Sequence, residues 1–192
     1  MSWSCGIIGL PNSGKSTIFN ALTTLTVPCQ PYPFCTIEPN VGVVAVPDER
    51  LARLSGILKP EKVTLTTIEF IDVAGLIKDA HKGEGLGNKF LANIRNVDAI
   101  AHVIRCFGTK NVPHIYTDVD PKRDTEIVET EIIISDLEIV EERLNKLDRL
   151  ARVSKEKGTQ ERELLTRIKA TLERSSFVNM DDFDHSEREI VH

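Results

Sequence analysis

The chain has 192 residues, 41% of them hydrophobic and 28% charged, which is the composition of an ordinary globular protein with one sizeable core. Its net charge of −5 argues against a protein that coats nucleic acid, and we expect no sequence-specific DNA binding. Because no apolar run approaches the ~20 residues that span a bilayer, and the first residues do not resemble a signal peptide, we expect a cytoplasmic protein with no membrane partner.

The first motif is a phosphate-binding loop, with the pattern G-x-x-x-x-G-K-S at residues 9–16. An apolar strand over 5–8 precedes the loop, and a helix follows it from Thr17. In this context the backbone N–H groups of the loop form an anion-binding nest at the N-terminus of a helix. The residues predicted to bind a nucleoside triphosphate are Asn12, Ser13, Gly14, Lys15, Ser16 and Thr17.

Two side chains of this loop suit the chemistry of a triphosphate. Lys15 can reach the β- and γ-phosphates, which makes it a candidate catalytic residue as well, and the Ser16 hydroxyl is placed to ligate Mg²⁺. Glycine-rich turns between a strand and a helix also occur without a ligand. The lysine and the serine in register favour nucleotide binding.

Strands and helices alternate along the first part of the chain. After a proline-rich loop, the pattern predicts a strand at 41–46, a helix at 48–58, a strand at 67–72, a helix at 88–97 and a buried strand at 99–105. This alternation predicts an α/β fold, with a mostly parallel sheet and helices on both of its faces.

The pattern changes to a heptad repeat in the second part of the chain. Apolar residues with alternating spacings of four and three are Ile133, Leu137, Val140, Leu144, Leu147 and Ala151, and Leu165, Ile168 and Leu172 continue the pattern after a turn at 155–158. We expect an inserted antiparallel helical hairpin of the coiled-coil type, although two surface helices packed flat on the sheet are an alternative. The predicted division is a nucleotide-binding core over 1–123, the hairpin over 124–175 and a return toward the core over 176–192.

A second motif, D-x-x-G, stands at the end of the predicted strand 67–72. Asp72 can hold a water that is bound to Mg²⁺, and the Gly75 N–H can meet the γ-phosphate. Between the two motifs, Thr36 lies in the proline-rich loop and can close over Mg²⁺, or else it is an ordinary loop threonine. These elements in this order favour a switch protein of the GTPase type over a kinase-like or transport ATPase.

Three longer blocks carry a resemblance to a known family. Residues 32–42, 72–77 and 82–95 closely resemble the YchF (Obg-like ATPase) family of translation-factor-class P-loop nucleotide hydrolases. The resemblance implies a G domain, a coiled-coil insertion and a C-terminal TGS domain. It also implies hydrolysis of ATP in preference to GTP, and association with the ribosome.

Leu76 stands where Ras-like enzymes carry the glutamine that orients the attacking water, and a leucine cannot bind that water. The resemblance agrees, because this family is described as having a hydrophobic residue there, and it implies that Asn12 recruits K⁺ near the phosphates. His114 is a candidate for positioning the water, and an ordinary surface-loop histidine is the alternative. His81 is a weaker candidate for the same role.

We recognise no motif in the sequence that would select the base of the nucleotide. Asn179–Asp182 has the form N-x-x-D, but no buried strand presents it, so we predict a turn there. We therefore expect a chain that stops before the base-reading strand, the last sheet strands and the TGS domain, with the strand at 99–105 as an exposed edge.

The function predicted from the sequence is a Mg²⁺-dependent switch that binds and hydrolyses a nucleoside triphosphate, with ATP preferred and a ribosomal partner implied by the resemblance. Two alternatives stay open. One is a hydrolase specific for GTP, because the phosphates and Mg²⁺ are bound identically with either base. The other is a nucleotide-gated interaction module with negligible turnover, whose hairpin contacts the ribosome or another translation component.

Overall fold

The structure, a computed structural model, describes residues 3–23, 40–73, 94–108, 112–151 and 159–191. The chain divides into two compact units, Met1–Val128 and Glu129–His192. Among the helices within these described ranges, none combines the length and the apolar character needed to cross a membrane.

The first unit contains a four-stranded sheet. Its elements are β1 (Trp3–Ile8), α1 (Lys15–Thr23), β2 (Asn40–Ala45), α2 (Glu49–Leu58), β3 (Thr67–Asp72) and β4 (Ala99–His102). The strand order is β2-β3-β1-β4, and β1 runs parallel to both β3 and β4, whereas β2 is antiparallel to β3. The predicted α/β fold with a mostly parallel sheet is confirmed. The predicted helix at 88–97 begins outside the described residues.

The strand register places the phosphate loop and the D-x-x-G motif at the same end of the sheet, where β1 and β3 end. Ile7 in β1 pairs with Asp72 in β3, so the phosphate loop and the D-x-x-G motif leave neighbouring strands at adjacent positions. Behind the loop, the fully buried side chains of Ile7, Ile8 and Phe19 anchor β1 and α1 in the core. This packing fixes the first turn of α1 above the carboxyl ends of the strands.

β4 is shorter than the predicted strand and is not buried, which agrees with its predicted position at an exposed edge. The strand ends at His102 instead of residue 105, and Ala99 and Ile100 are exposed although a buried strand was expected. The reason is its position at the end of the described sheet, where it pairs with β1 alone. Beyond the strand, the Val103 N–H still donates to the Ile8 carbonyl at 2.8 Å, so the chain stays beside the phosphate loop.

The long helix α3 (Pro121–Ala151) begins in the first unit and continues into the second. Its start lies ahead of residue 124, where the hairpin was expected to begin. The Asp120 carboxylate accepts the N–H groups of Lys122 and Arg123, both at 3.1 Å, and a proline occupies the first helical position. An aspartate cap followed by proline is a strong helix-start signal, and it explains the earlier boundary.

The second unit is held together by an apolar cluster between helices. It contains the rest of α3, then α4 (Thr159–Leu172), a 3-10 turn (Met180–Asp182) and α5 (His185–Val191). Its core residues are Ile133, Val140, Leu164, Ile168, Leu172 and Phe183. Ion pairs between α3 and α4 flank this core, for example Lys169 with Glu141 at 2.8 Å. The 3-10 turn after Asn179 agrees with the turn predicted there.

Candidate nucleotide-binding site

The phosphate loop has the backbone that its glycines allow. Gly9 and Gly14 have φ angles of 149° and 105°, a region that side-chain-bearing residues rarely adopt. A Cβ atom at Gly9 would also lie within 3.0 Å of the Val103 carbonyl oxygen. Asn12 has a φ of 62°, the left-handed conformation that asparagine tolerates. The loop therefore follows a path that depends on these residues.

Lys15 is the buried cation of the loop. Its side chain is only 7% exposed, and Nζ donates a hydrogen bond of 2.8 Å to the Leu10 carbonyl oxygen. Burial lowers the pKa of Lys15 to about 8, although the Asp72 carboxylate acts to raise it. A lysine held by a loop carbonyl in this way can exchange that partner for a phosphate oxygen, which would compensate its charge better.

Ser16 and Asp72 join the two motifs directly. The Ser16 hydroxyl donates to Asp72 Oδ2 at 2.7 Å, although 56 positions separate the residues in the chain. Asp72 is 2% exposed, and burial raises the pKa of its carboxyl group, while Ser16 and Lys15 act to lower it. Both residues were predicted as magnesium ligands, and the fold brings their oxygen atoms together.

The donor atoms at this position fit a magnesium ion. Asp72 Oδ1 is buried and has no hydrogen-bond partner among the residues that the structure describes, and the same is true of the Ser13 hydroxyl in the phosphate loop. Mg²⁺ prefers such oxygen ligands and is usually held by one or two side chains together with substrate phosphates. Within the described part of the chain, no group of three or more His, Cys, Asp or Glu side chains could hold a metal ion without such help.

Asn12 links the phosphate loop to a distant segment. Its Nδ2 donates a hydrogen bond of 3.1 Å to the Pro113 carbonyl oxygen, across a separation of 101 residues. The neighbouring Ser13 and Gly14 complete the loop, and Thr17 lies exposed in the first turn of α1. This contact was not predicted, because no local pattern shows which carbonyl a loop amide will meet.

His114 follows Pro113 and is buried instead of exposed. Its side chain is 6% exposed, with Nε2 lying 2.8 Å from Asp124 Oδ2. Its Nδ1 accepts the N–H of Tyr116 at 3.1 Å. Both ring nitrogens are thus engaged within the protein, and this geometry favours a structural role in this conformation. The catalytic role of His114 stays a prediction.

Arg105 is a buried residue near the site that the sequence did not single out. Its side chain is 5% exposed, and it donates to the carbonyl oxygens of Phe107 and Val112 at 3.0 and 2.9 Å. Nη1 is buried and has no hydrogen-bond partner within the described part of the chain. A charged residue as the last position of the predicted apolar strand 99–105 is the signal that could have drawn attention to it. The guanidinium thus joins the backbone at Phe107 to the backbone at Val112, the residue before Pro113.

The other predicted site residues lie outside the described residues. They are Thr36, Gly75, Leu76 and His81. Their roles at Mg²⁺, at the γ-phosphate and at the attacking water remain predictions.

The fold and the site define the chain as a P-loop nucleotide-binding protein with a mixed, mostly parallel GTPase-type sheet. The family model described as "50S ribosome-binding GTPase" matches residues 4–136, which is more than half of the chain. The chain belongs to this family and, within it, to the YchF family that its motifs resemble.

Similar proteins support this assignment over the whole chain. The "Ribosome-binding ATPase YchF" of Pasteurella multocida is 46% identical over 191 residues, which is 100% of this chain and 53% of that protein. The protein of the same description from Bacillus subtilis is 44% identical, with 52% of its length covered. The solved structure of the Schizosaccharomyces pombe YchF GTPase has a TM-score of 0.77 and 37% identity, over 99% of this chain and 52% of that one. The chain thus spans about half the length of these relatives.

Proposed function

We propose that the chain binds a nucleoside triphosphate with Mg²⁺ and hydrolyses the bond between its β- and γ-phosphates. Water attacks the γ-phosphorus, the bond to the bridging oxygen breaks, and a nucleoside diphosphate and inorganic phosphate are released. The observation that carries the proposal is the joining of the two motifs, in which Ser16 bonds to Asp72 beside the buried Lys15. The membership of the chain in a family of P-loop ATPases and GTPases supports it.

The loop residues have distinct roles in this proposal. The N–H groups and side chains of Asn12 to Thr17 hold the phosphates, with Lys15 neutralising the charge that develops on the β–γ bridge. Ser16 and Thr36 ligate Mg²⁺, Asp72 holds it through a water, and Gly75 donates to the γ-phosphate. When bound, Mg²⁺ supplies positive charge against the phosphate oxygens.

Water positioning requires groups other than the usual glutamine, because Leu76 stands at that place. We propose that K⁺ near Asn12 supplies a fixed positive charge at the phosphates, as an arginine finger does elsewhere. His114 can orient water only if it gives up one of its present partners, Asp124 or Tyr116. A change in this segment during hydrolysis, after the nucleotide has bound, is therefore part of its proposed catalytic role.

The proposals for the preferred base and for the partner are based on the descriptions of similar proteins. Because those proteins are described as ribosome-binding ATPases, we propose that ATP is preferred over GTP, that the ribosome is the partner and that the protein is cytoplasmic. We also propose the division into a nucleotide-binding core over 1–123, a helical hairpin over 124–175 and a return segment over 176–192. In this scheme the hairpin offers a surface to the partner.

The decisive experiment is a phosphate-release assay with ATP and GTP side by side, with Mg²⁺ and with either K⁺ or Na⁺. We expect slow release that needs Mg²⁺ and K⁺, that is faster with ATP, and that is lost in Lys15→Ala. Lys62→Ala removes an exposed lysine and is the matched control. Undiminished release in Lys15→Ala would exclude the proposed site.

A nucleotide-gated interaction module with negligible turnover is the second candidate function. The engagement of both His114 nitrogens favours it, together with the leucine at position 76. Tight binding of the triphosphate without measurable phosphate release, together with nucleotide-dependent ribosome binding, would favour this function over hydrolysis. Deletion of residues 129–175, the part of the hairpin that lies in the second unit, should then abolish ribosome binding.

A further inference from the structure

A chain of contacts leads from the phosphate loop to the first turn of α3. It starts at Asn12, whose amide donates to the Pro113 carbonyl, and it passes through the next residue, His114, to Asp124. All four residues belong to the first unit. The position of the Pro113 carbonyl therefore depends on what holds the imidazole of His114.

The hydrogen bonds of His114 determine its tautomer. Because the Tyr116 N–H points at Nδ1, that nitrogen must be an acceptor and the ring proton sits on Nε2. Nε2 then donates this proton to Asp124 Oδ2 at 2.8 Å. The ring is thus held from two sides, and its orientation is fixed by the Asp124 carboxylate.

Asp124 uses both of its oxygen atoms as acceptors. While Oδ2 faces His114, Oδ1 accepts Nη2 and Nε of Arg123 at 3.0 and 3.2 Å. The side chain of Asp124 is only 5% exposed, so none of these three bonds can be replaced easily by bulk water. Arg123 in turn lies over the ring of Tyr116, at 4.6 Å from its centroid, and bonds to Asp118 at 3.0 Å.

We propose that Asp124 is a positioning residue for nucleotide binding, which acts through His114 and the Pro113 carbonyl on the Asn12 amide. The inference rests on the proposed function, in which Asn12 lies at the phosphates. Asp124 touches no nucleotide itself. It fixes one end of the contact that orients Asn12, whose left-handed backbone leaves the phosphate loop dependent on such support.

The substitution Asp124→Asn tests the positioning role of Asp124, because asparagine has nearly the same shape as aspartate. An amide offers one acceptor and one donor, whereas the two neighbours, His114 Nε2 and the Arg123 guanidinium, both donate. If the amide nitrogen faces His114, the asparagine loses one hydrogen bond, and if it faces Arg123 it loses two. In both orientations two donors face each other, and the imidazole loses its charged acceptor. The hold on the imidazole is weakened, and the Pro113 carbonyl is no longer fixed.

The experiment is a double-mutant cycle on the affinity for a non-hydrolysable ATP analogue with Mg²⁺. Asp124→Asn should weaken binding about three- to tenfold in the wild-type background. In the Asn12→Ala background the same change should weaken binding less than about twofold, because the group through which it acts is gone. A purely structural loss would lower affinity by the same factor in both backgrounds, and that result would overturn the proposal.

Asp118→Asn is the matched control, because Asp118 also bonds to Arg123 but its side chain is 73% exposed, and the carboxylate that bonds to His114 is that of Asp124. It should leave the affinity unchanged. An equal loss in Asp118→Asn and Asp124→Asn would show that the effect runs through Arg123, which contradicts the proposed route.

Hydrogen exchange of the Tyr116 amide gives a second readout, because that N–H bonds to His114. The bound analogue should slow this exchange in the wild type and in Asp118→Asn, and not in Asp124→Asn. Equal slowing in all three proteins would overturn the proposal.

Lys15→Ala distinguishes a failure of the proposed nucleotide site from a failure of the positioning role of Asp124. If Lys15→Ala binds the analogue as tightly as the wild type, the proposed nucleotide site itself fails. If Lys15→Ala abolishes binding and the Asn12–Asp124 cycle is additive, only the positioning role fails.

Discussion

The Ser16 hydroxyl donates a hydrogen bond of 2.7 Å to Asp72 Oδ2, which joins the first turn of α1 to the carboxyl end of β3. This bond forms between two motifs that the sequence separates by 56 positions. It places a buried carboxylate beside the phosphate loop, and one oxygen of this carboxylate has no partner among the described residues. The pair is suited to exchange its mutual hydrogen bond for shared contacts with a hydrated magnesium ion.

Asp72→Asn should remove the response of nucleotide binding to Mg²⁺. Hydrogen bonds to charged groups contribute about 1.5–3 kcal/mol, so Mg²⁺ should tighten triphosphate binding about 10- to 100-fold in the wild type and only slightly in the variant. Titrations with Mg²⁺ or with a chelator measure this directly. Asp98→Asn is the control, because Asp98 bonds to Ser4 at the opposite end of β1. A full Mg²⁺ response in Asp72→Asn would contradict the assignment.

Because Lys15 is buried, the free energy of unfolding should increase with pH in the alkaline range. Its pKa is about 8 when folded and 10.5 ordinarily, so between these values the unfolded chain binds more protons than the folded chain. Stability therefore rises with pH across this window, and the full cost of burying the charge applies below pH 8. Lys15→Met should raise the free energy of unfolding more at pH 7 than at pH 10, in urea titrations. An equal gain at both pH values would be inconsistent with a lowered pKa.

Gly42→Ala should destabilise the packing of β2 on α1. An added Cβ would lie 2.8 Å from Thr23 Cβ and closer still to its methyl group, a clash that should cost about 1–3 kcal/mol. Thr23→Ser keeps the hydroxyl that donates to the Phe19 carbonyl but removes the methyl group, so it should restore part of the loss. Thermal unfolding of the single and double variants measures this.

Gly56→Ala is the control for this pair of variants. It lies in α2 with open space around its Cβ position, and alanine there should stabilise the protein by about 0.5–1 kcal/mol. If Thr23→Ser fails to recover any stability in the Gly42→Ala background, the contact with the methyl group is not the cause.

Leu164→Ala should disrupt the core of the second unit. Leu164 is 2% exposed within the cluster of α3 and α4, and its truncation should cost about 2–5 kcal/mol. Leu150→Ala, at a leucine that is 61% exposed, should change stability by less than about 0.5 kcal/mol. Circular dichroism during urea unfolding compares the two, and equal losses would contradict the assigned core.

Local sequence patterns predicted those helices, strands and loops that depend mainly on residues close together in the chain. The glycine spacing of the phosphate loop, the apolar strand that ends at Asp72 and the heptad spacing of Ile133 and Val140 all correspond to observed structure. The β4 strand was predicted too long, because an apolar run does not show where pairing with a neighbour stops. α3 begins at Pro121, ahead of the hairpin predicted from residue 124, because Asp120 and Pro121 form a strong N-terminal cap.

The contacts that complete the site could not be predicted in the same way. The bond between Asn12 and Pro113 spans 101 positions, and its partner is a backbone carbonyl that no residue type reveals. The sequence makes His114 a candidate for positioning water, but the contact of its side chain with Asp124 depends on how α3 begins. Such pairings arise from the fold, and periodicity in the sequence carries no information about them.

The most direct test of the account is the affinity of the chain for the non-hydrolysable triphosphate relative to the diphosphate, with and without Mg²⁺, in the wild type and in Lys15→Ala. The account predicts that the wild type binds the triphosphate more tightly with Mg²⁺, and that Lys15→Ala loses this preference. A wild-type protein that binds neither nucleotide, or a Lys15→Ala variant that keeps the preference, would contradict it.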